Sequence, residues 1–112
     1  MSNPSNNPEE QWIVSELVQE DPDFADLVEE FVASLDGRLR DLQGALAQQD
    51  FDQLRGLAHQ LKGAGGGHGY PILTEKAAVL EQQAIAKDIA DIQAGIEELS
   101  CLVARVIVAR PK

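Results

Sequence analysis

The sequence is short of most features that would place it in a specialised class. It has one cysteine, Cys101, so an internal disulfide cannot form. With no His or Cys close by in the chain, that residue reads as an ordinary helix position. Aromatics are scarce, one Trp, one Tyr and three Phe, which leaves Ala and the aliphatic side chains to build the core and favours packed helices over sheets. Basic residues are outnumbered, nine against nineteen acids, for a net charge of -10. Such a chain repels a phosphate backbone instead of releasing its counterions, which sets nucleic acid and anionic membranes aside as partners. Apolar runs are short, as in Val106 to Ala109, and no basic segment followed by an apolar one opens the chain. Neither a membrane span nor a signal peptide is expected, and the expected location is the cytoplasm.

What is present fits a single domain of 112 residues, a size that buries roughly two-thirds of the surface its unfolded chain exposes. Residues 1–7 are rich in Ser, Asn and Pro and read as a flexible tail, with one domain over 8–112. Asn7, Pro8, Glu9 and Glu10 give a helix start signal, predicting a short helix through Val18 with Trp12, Ile13 and Leu17 on its buried side. Asp21-Pro22 repeats that signal before Leu27, Val28, Phe31, Leu35, Leu39, Leu42 and Leu46, whose spacing predicts a long amphipathic helix to about Gln49. Asp50 with Gln53 resembles a capping box and opens a third helix carrying Leu54, Leu57, Ala58, Leu61 and Ala64. Pro71 starts a fourth with Ile72, Leu73, Ala77, Leu80 and Ala84. Asp88 caps a fifth, to about Arg110, whose seam is Ile89, Ile92, Ile96, Leu99, Val103 and Val106. The expected class is all-α, an antiparallel four-helix bundle with a short N-terminal capping helix.

The segment Phe51 to Tyr70, FDQLRGLAHQLKGAGGGHGY, carries the chemistry. Turning about 100° per residue from His59 puts Leu54, Leu57, Leu61 and Ala64 about 140° to 220° away, so His59 faces solvent in mid-helix. Asp52, Arg55, Lys62, Gly63 and Gly66 share its face. Gly63, Gly65, Gly66 and Gly67 together forgo roughly 3 to 4 kcal/mol of helix propensity relative to Ala, a large sum against a typical stability of about 5 to 15 kcal/mol. A bare backbone beside His59 allows another protein close to the imidazole, while Gly65 faces inward and admits a neighbouring helix. The plain alternative is that residues 65–69 form a loop. An ordinary imidazole, with a pKa of about 6.5, is mostly neutral and nucleophilic near neutral pH. Phosphoryl transfer needs chiefly positioning and cations on the non-bridging oxygens, and Lys62 lies one turn beyond His59.

The run Ala58-His59-Gln60-Leu61-Lys62-Gly63-Ala64, followed by small residues and Gly69, resembles the signature H-x-L-K-G-[SA] of histidine-containing phosphotransfer (HPt) domains. The likeness covers nearly the whole chain, including Asp21-Pro22 before the long helix and the Tyr70-Pro71 start. It implies a phosphocarrier of a multistep two-component phosphorelay, not an ATP-using enzyme. His59 would be phosphorylated through Nε2, Lys62 would support the phosphohistidine, and Gly63 would keep the receiver's approach clear. Arg55, Gln60 and Gly66 are the remaining partner-facing candidates. Receiver domains and a hybrid histidine kinase are the implied partners, with no cofactor on this chain and Mg2+ on the receiver. His68 departs from the family pattern, where an apolar residue is frequent, and points about 180° from His59 toward the core.

Other readings fit less well. A P-loop needs its Lys after the glycines, whereas Lys62 precedes them, and G-x-G-x-x-G fails at His68 and Tyr70. A bundle metal site lacks Glu-x-x-His, because Gly56 and Gly65 stand three before the two histidines. A hydrolase lacks a general base on the His59 face other than Asp52, two turns away. The runner-up is a non-phosphorylated docking module holding a receiver or kinase on the same face. A monomer is expected, since the apolar stripes can all be consumed within one bundle, and Met1 with its polar tail leads to the expectation of a free-standing protein.

Overall fold

A computed structural model describes residues 11–110, and the expected tail and the Asn7-Pro8 helix start lie outside them. Within that span the chain is mostly helical. Strand β1 (Ile13–Val14) leads into helix α1 (Glu16–Glu20) and a 3-10 turn at Pro22–Phe24. Four longer helices follow, α2 (Ala25–Ala47), α3 (Phe51–Gly67), α4 (Pro71–Ala86) and α5 (Ile89–Val103), and strand β2 (Val106–Ile107) closes the series.

The chain ends of this architecture depart from the sequence reading. The segment expected to be helical through Val18 is extended at Ile13 and Val14, two β-branched residues suited to a strand. Helix α1 starts only at Ser15, whose Oγ accepts from the Val18 N–H at 3.2 Å. The last helix stops at Val103, not Arg110. Val106 is buried, but in a strand: Ile13 pairs with Val106 and Val14 with Ile107 in parallel register. The Arg105 Nε–H donates to the Gln11 carbonyl at 2.8 Å beside this pair. Both segments satisfy each other's backbone groups, which short flanking pieces of a helix could not do.

Side-chain caps open α3 and α5, whereas Asp21 caps the 3-10 turn ahead of α2 and α4 opens on Pro71 without a side-chain cap. Asp50 Oδ1 accepts from the Gln53 N–H at 3.0 Å, and Asp88 Oδ1 from the Asp91 N–H at 3.1 Å. Successive helices α2 to α5 pack on one another and α5 returns against α2, with α3–α4 the most extensive contact. The core between them holds Val28, Leu35, Leu42, Leu54, Leu61, Leu73, Leu80, Ile92 and Leu99, all essentially inaccessible, each contributing about 1.5 to 3 kcal/mol by burial. Among the expected core positions, Leu27 and Ile89 are exposed at 48% and 43%, and Leu57, like Leu46, Ala64, Ile72 and Val103, is only half-buried. Leu27 and Ile89 occupy the first turns of their helices, and in the first turn of α2 the core side is filled by Val28 instead.

Glycines hold α3 and α4 together. Residues 63–67 are regular helix, not loop. A Cβ on buried Gly65 would lie 2.8 Å from Leu73 Cβ and 3.3 Å from the Thr74 N, so only a bare Cα permits this approach. Thr74 completes the seam, its hydroxyl donating to the Lys62 carbonyl at 2.5 Å and accepting from the Gly66 N–H at 2.8 Å. Gly69, at φ +90°, turns the chain toward α4 and accepts from the Glu16 N–H at 2.9 Å.

Candidate functional site

Helix α3 presents His59 on the face opposite Leu54 and Leu61, with its side chain 68% exposed. The expected exposure follows from periodicity alone. Its environment does not, because the decisive neighbour comes from α4. Glu81, nineteen residues beyond Lys62, places Oε2 2.8 Å from His59 Nδ1 and Oε1 2.7 Å from Lys62 Nζ. One carboxylate therefore joins the two residues that the sequence singled out.

The arrangement fixes the imidazole's protonation pattern. Glu81 is held below the usual carboxylate range, first by the hydrogen bond from Lys62 and then by that from His59. An ionised carboxylate only accepts hydrogen bonds, so Nδ1 carries the proton it donates. In the neutral ring the lone pair then resides on Nε2, which has no hydrogen-bond partner among the described residues. The Glu81 side chain is only 13% exposed while that of Lys62 is one-third exposed. The site is thus an exposed nucleophilic nitrogen backed by a sheltered anion and a cation.

The other candidates spread around this centre. Arg55, Gln60 and Gly63 are exposed on α3, and an added Cβ at Gly63 would meet nothing within 4 Å. Gln60 borders a cleft of about 350 Å3 between α2 and α3, lined also by Ser34, Gly37, Arg38 and Asp41. Gly66 is exposed, yet a Cβ there would come 2.9 Å from Thr74 Oγ1, so its bare backbone serves the α3–α4 seam as well as the open face. Asp52 is exposed on α3, and the carboxylate beside the imidazole is Glu81.

His68 occupies a structural setting at the C-terminal cap of α3. Its ring stacks on Phe31 at 4.3 Å between centroids, and its Nδ1–H donates to the Ala64 carbonyl at 2.7 Å. Ser15 Oγ donates to the His68 carbonyl at 2.7 Å. Cys101 is exposed on α5. Among the described residues, no group of three or more His, Cys, Asp and Glu side chains gathers to hold a metal, and no helix is long and apolar enough to cross a membrane.

Glu81 is the residue that sequence reasoning missed. It follows Leu80 on the buried stripe and sits seven residues after Thr74, on the α4 face that meets α3. That signal becomes readable only once Thr74 is known to touch Lys62 and Gly66. Comparison with known proteins agrees with the geometry of α3: the family model of the Hpt domain matches residues 26–107, well over half of the chain. No curated protein and no solved structure matches it.

Proposed function

The chain belongs to the Hpt domain family, and from that premise we propose that it is a histidine phosphotransfer protein of a multistep two-component phosphorelay. Family membership places it among phosphocarriers of two-component signalling, which exchange phosphoryl groups with receiver domains and kinases and are not themselves kinases. His59 accepts the phosphoryl group from a receiver aspartate through Nε2 and passes it to another receiver aspartate. The observation that carries this reading is the pairing of His59 Nδ1 with Glu81, on a ring otherwise open to an approaching protein.

Each neighbour has a part in the transfer. The lone pair on Nε2 attacks phosphorus in line while the bond to the aspartate oxygen breaks, a step that depends on positioning and charge more than on acid–base chemistry. Lys62, one-third exposed and held beside His59 by Glu81, supplies positive charge to the phosphoryl oxygens. Gly63 leaves the space beside His59 unobstructed, and Arg55, Gln60 and Gly66 form the surrounding contact surface. The Mg2+ belongs to the receiver, and this chain contributes no cofactor. The domain works as a cytoplasmic monomer over residues 8–112, its long helices forming an antiparallel four-helix bundle.

The test is exchange of radiolabelled phosphate between the purified chain and a panel of acyl-phosphate receiver domains. Label moving onto the chain and from it to a second receiver supports the relay. Binding of a receiver without label transfer would identify the docking module instead.

A further inference from the structure

Glu81 does more than orient a ring, because it is charged and the phosphorylated ring is charged too. Building on the phosphotransfer reading, we propose that Glu81 is a positioning residue that keeps the Nδ1 proton on His59 throughout the phosphoryl cycle, so that phosphoryl gain and loss require no proton exchange with water. The geometry for this is in place before phosphorylation, with Nδ1–H directed at Oε2 over 2.8 Å.

The electron balance shows why the proton matters. When the Nε2 lone pair forms a bond to phosphorus, the P–O bond of the aspartyl phosphate breaks and its electron pair stays on the aspartate carboxylate. The ring becomes a phosphoimidazolium with one positive charge, its Nδ1 proton still facing Glu81. On return, an incoming aspartate oxygen bonds to phosphorus, the N–P bond breaks and its pair goes back to Nε2, leaving a neutral imidazole protonated at Nδ1. Had that proton been lost in between, the leaving group would be an imidazolate anion, far poorer, and the phosphoryl group would be stranded until the ring was reprotonated.

A carboxylate opposes that loss and a neutral amide does not, because only the carboxylate attracts the cationic ring. The charged groups around His59 single out Glu81. On α3, Lys62 and Arg55 are cations that disfavour a charged ring, and Asp52 is an exposed anion two turns away. On α2, Arg38 and Asp41 line the cleft beside Gln60. From α4 comes Glu81, the one anion in direct contact with the ring among the described residues and the most sheltered from screening. Its second oxygen on Lys62 Nζ keeps the carboxylate aimed at Nδ1.

The experiment phosphorylates the full chain with phosphoramidate, a small-molecule donor that needs no receiver, and compares wild type with Glu81→Gln. Ring 15N shifts follow Nδ1 protonation against pH, and 31P signals follow phosphoryl loss to a receiver. Gln retains an acceptor for Nδ1–H, so the unphosphorylated tautomer is unchanged. In the phosphorylated protein the midpoint for Nδ1 deprotonation falls by about one pH unit, and transfer above that midpoint slows up to about tenfold. A purely structural role would move the melting temperature without moving the midpoint. Equal midpoints in the two proteins overturn the role of Glu81 and leave phosphotransfer standing. If the variant does not fold, a wild-type midpoint equal to that of the urea-unfolded phosphoprotein overturns it instead. Absence of phosphohistidine from both phosphoramidate and phosphorylated receivers overturns the phosphotransfer reading itself, and this inference with it.

Discussion

Alanine at Gly63 and at Gly65, two residues apart on one helix, should change stability in opposite directions. At Gly65 the new methyl would sit 2.8 Å from Leu73 Cβ, well inside the roughly 3.5 to 4.0 Å of an ordinary carbon contact. Both partners are backbone-anchored atoms, so α4 must retreat, at an overpacking cost of about 1 to 3 kcal/mol. Helix propensity returns about 1 kcal/mol of that. The net loss reaches about 2 kcal/mol. At Gly63 nothing lies within 4 Å of the new methyl, so the propensity gain of up to about 1 kcal/mol stands alone. With a shift of about 4 to 8 °C per kcal/mol for a domain near this size, thermal melts by circular dichroism resolve both effects. Urea titrations with unchanged slopes confirm that stability, not compactness, has moved. Phosphotransfer completes the contrast: Gly65→Ala slows it by drawing Glu81 away from His59, and Gly63→Ala slows it by crowding the receiver's approach. A Gly65→Ala protein that melts at or above wild type would refute the tight α3–α4 seam, and a destabilised Gly63→Ala would refute the open face.

Lys62→Ala should slow transfer on the order of ten- to hundredfold while changing stability by less than about 1 kcal/mol, as read by single-turnover transfer and a melt on the same sample. Glu81 titrates below its ordinary range in the folded protein, so the stability it contributes is present above the ordinary carboxylate pKa and is lost as pH falls through the depressed value. Acid unfolding of Glu81→Gln should accordingly show a shallower loss than wild type over that window. Tyr70 is buried, its hydroxyl donates to the Ile107 carbonyl at 2.8 Å, and burial pushes its pKa up to about 12. Tyr70→Phe leaves that carbonyl without its partner and should cost about 1 to 2 kcal/mol, with hydrogen exchange rising first at β2. In the parent protein stability should fall as pH climbs from about 10 toward 12, because the unfolded phenol ionises first, and the variant should lack that component.

The parts of this molecule legible in its sequence are those set by local rules. Asp50 caps α3 through Gln53 as its spacing indicates, and Leu54 and Leu61 are buried behind an exposed His59 because all three obey one helical period. Gly65 reads correctly as a close-approach position, since a propensity loss of that size in mid-helix demands a packing reason. What stayed hidden depends on how separate elements meet. Glu81 reaches His59 only because Gly65 and Thr74 set the depth and rotation of α4 against α3, and no periodicity within α4 encodes that rotation. The pairing of Ile13–Val14 with Val106–Ile107 joins segments more than ninety residues apart. Both segments continue apolar helical patterns, so period alone favours helix, and the Ser15 cap that ends the first of them is a weaker signal than Asn7-Pro8.

The central claim is that His59 carries the phosphoryl group, and mapping the label tests it most directly. Wild type and His59→Gln are incubated with the same radiolabelled acyl-phosphate receiver, and helical content is checked by circular dichroism. An exposed side chain contributes little to packing, so the variant should keep its fold and its melting temperature within about 1 kcal/mol of stability while taking up no label. The wild-type label should be acid-labile, as a phosphoramidate bond is. Label retained by a folded His59→Gln protein, on His68 or anywhere else, would contradict the account.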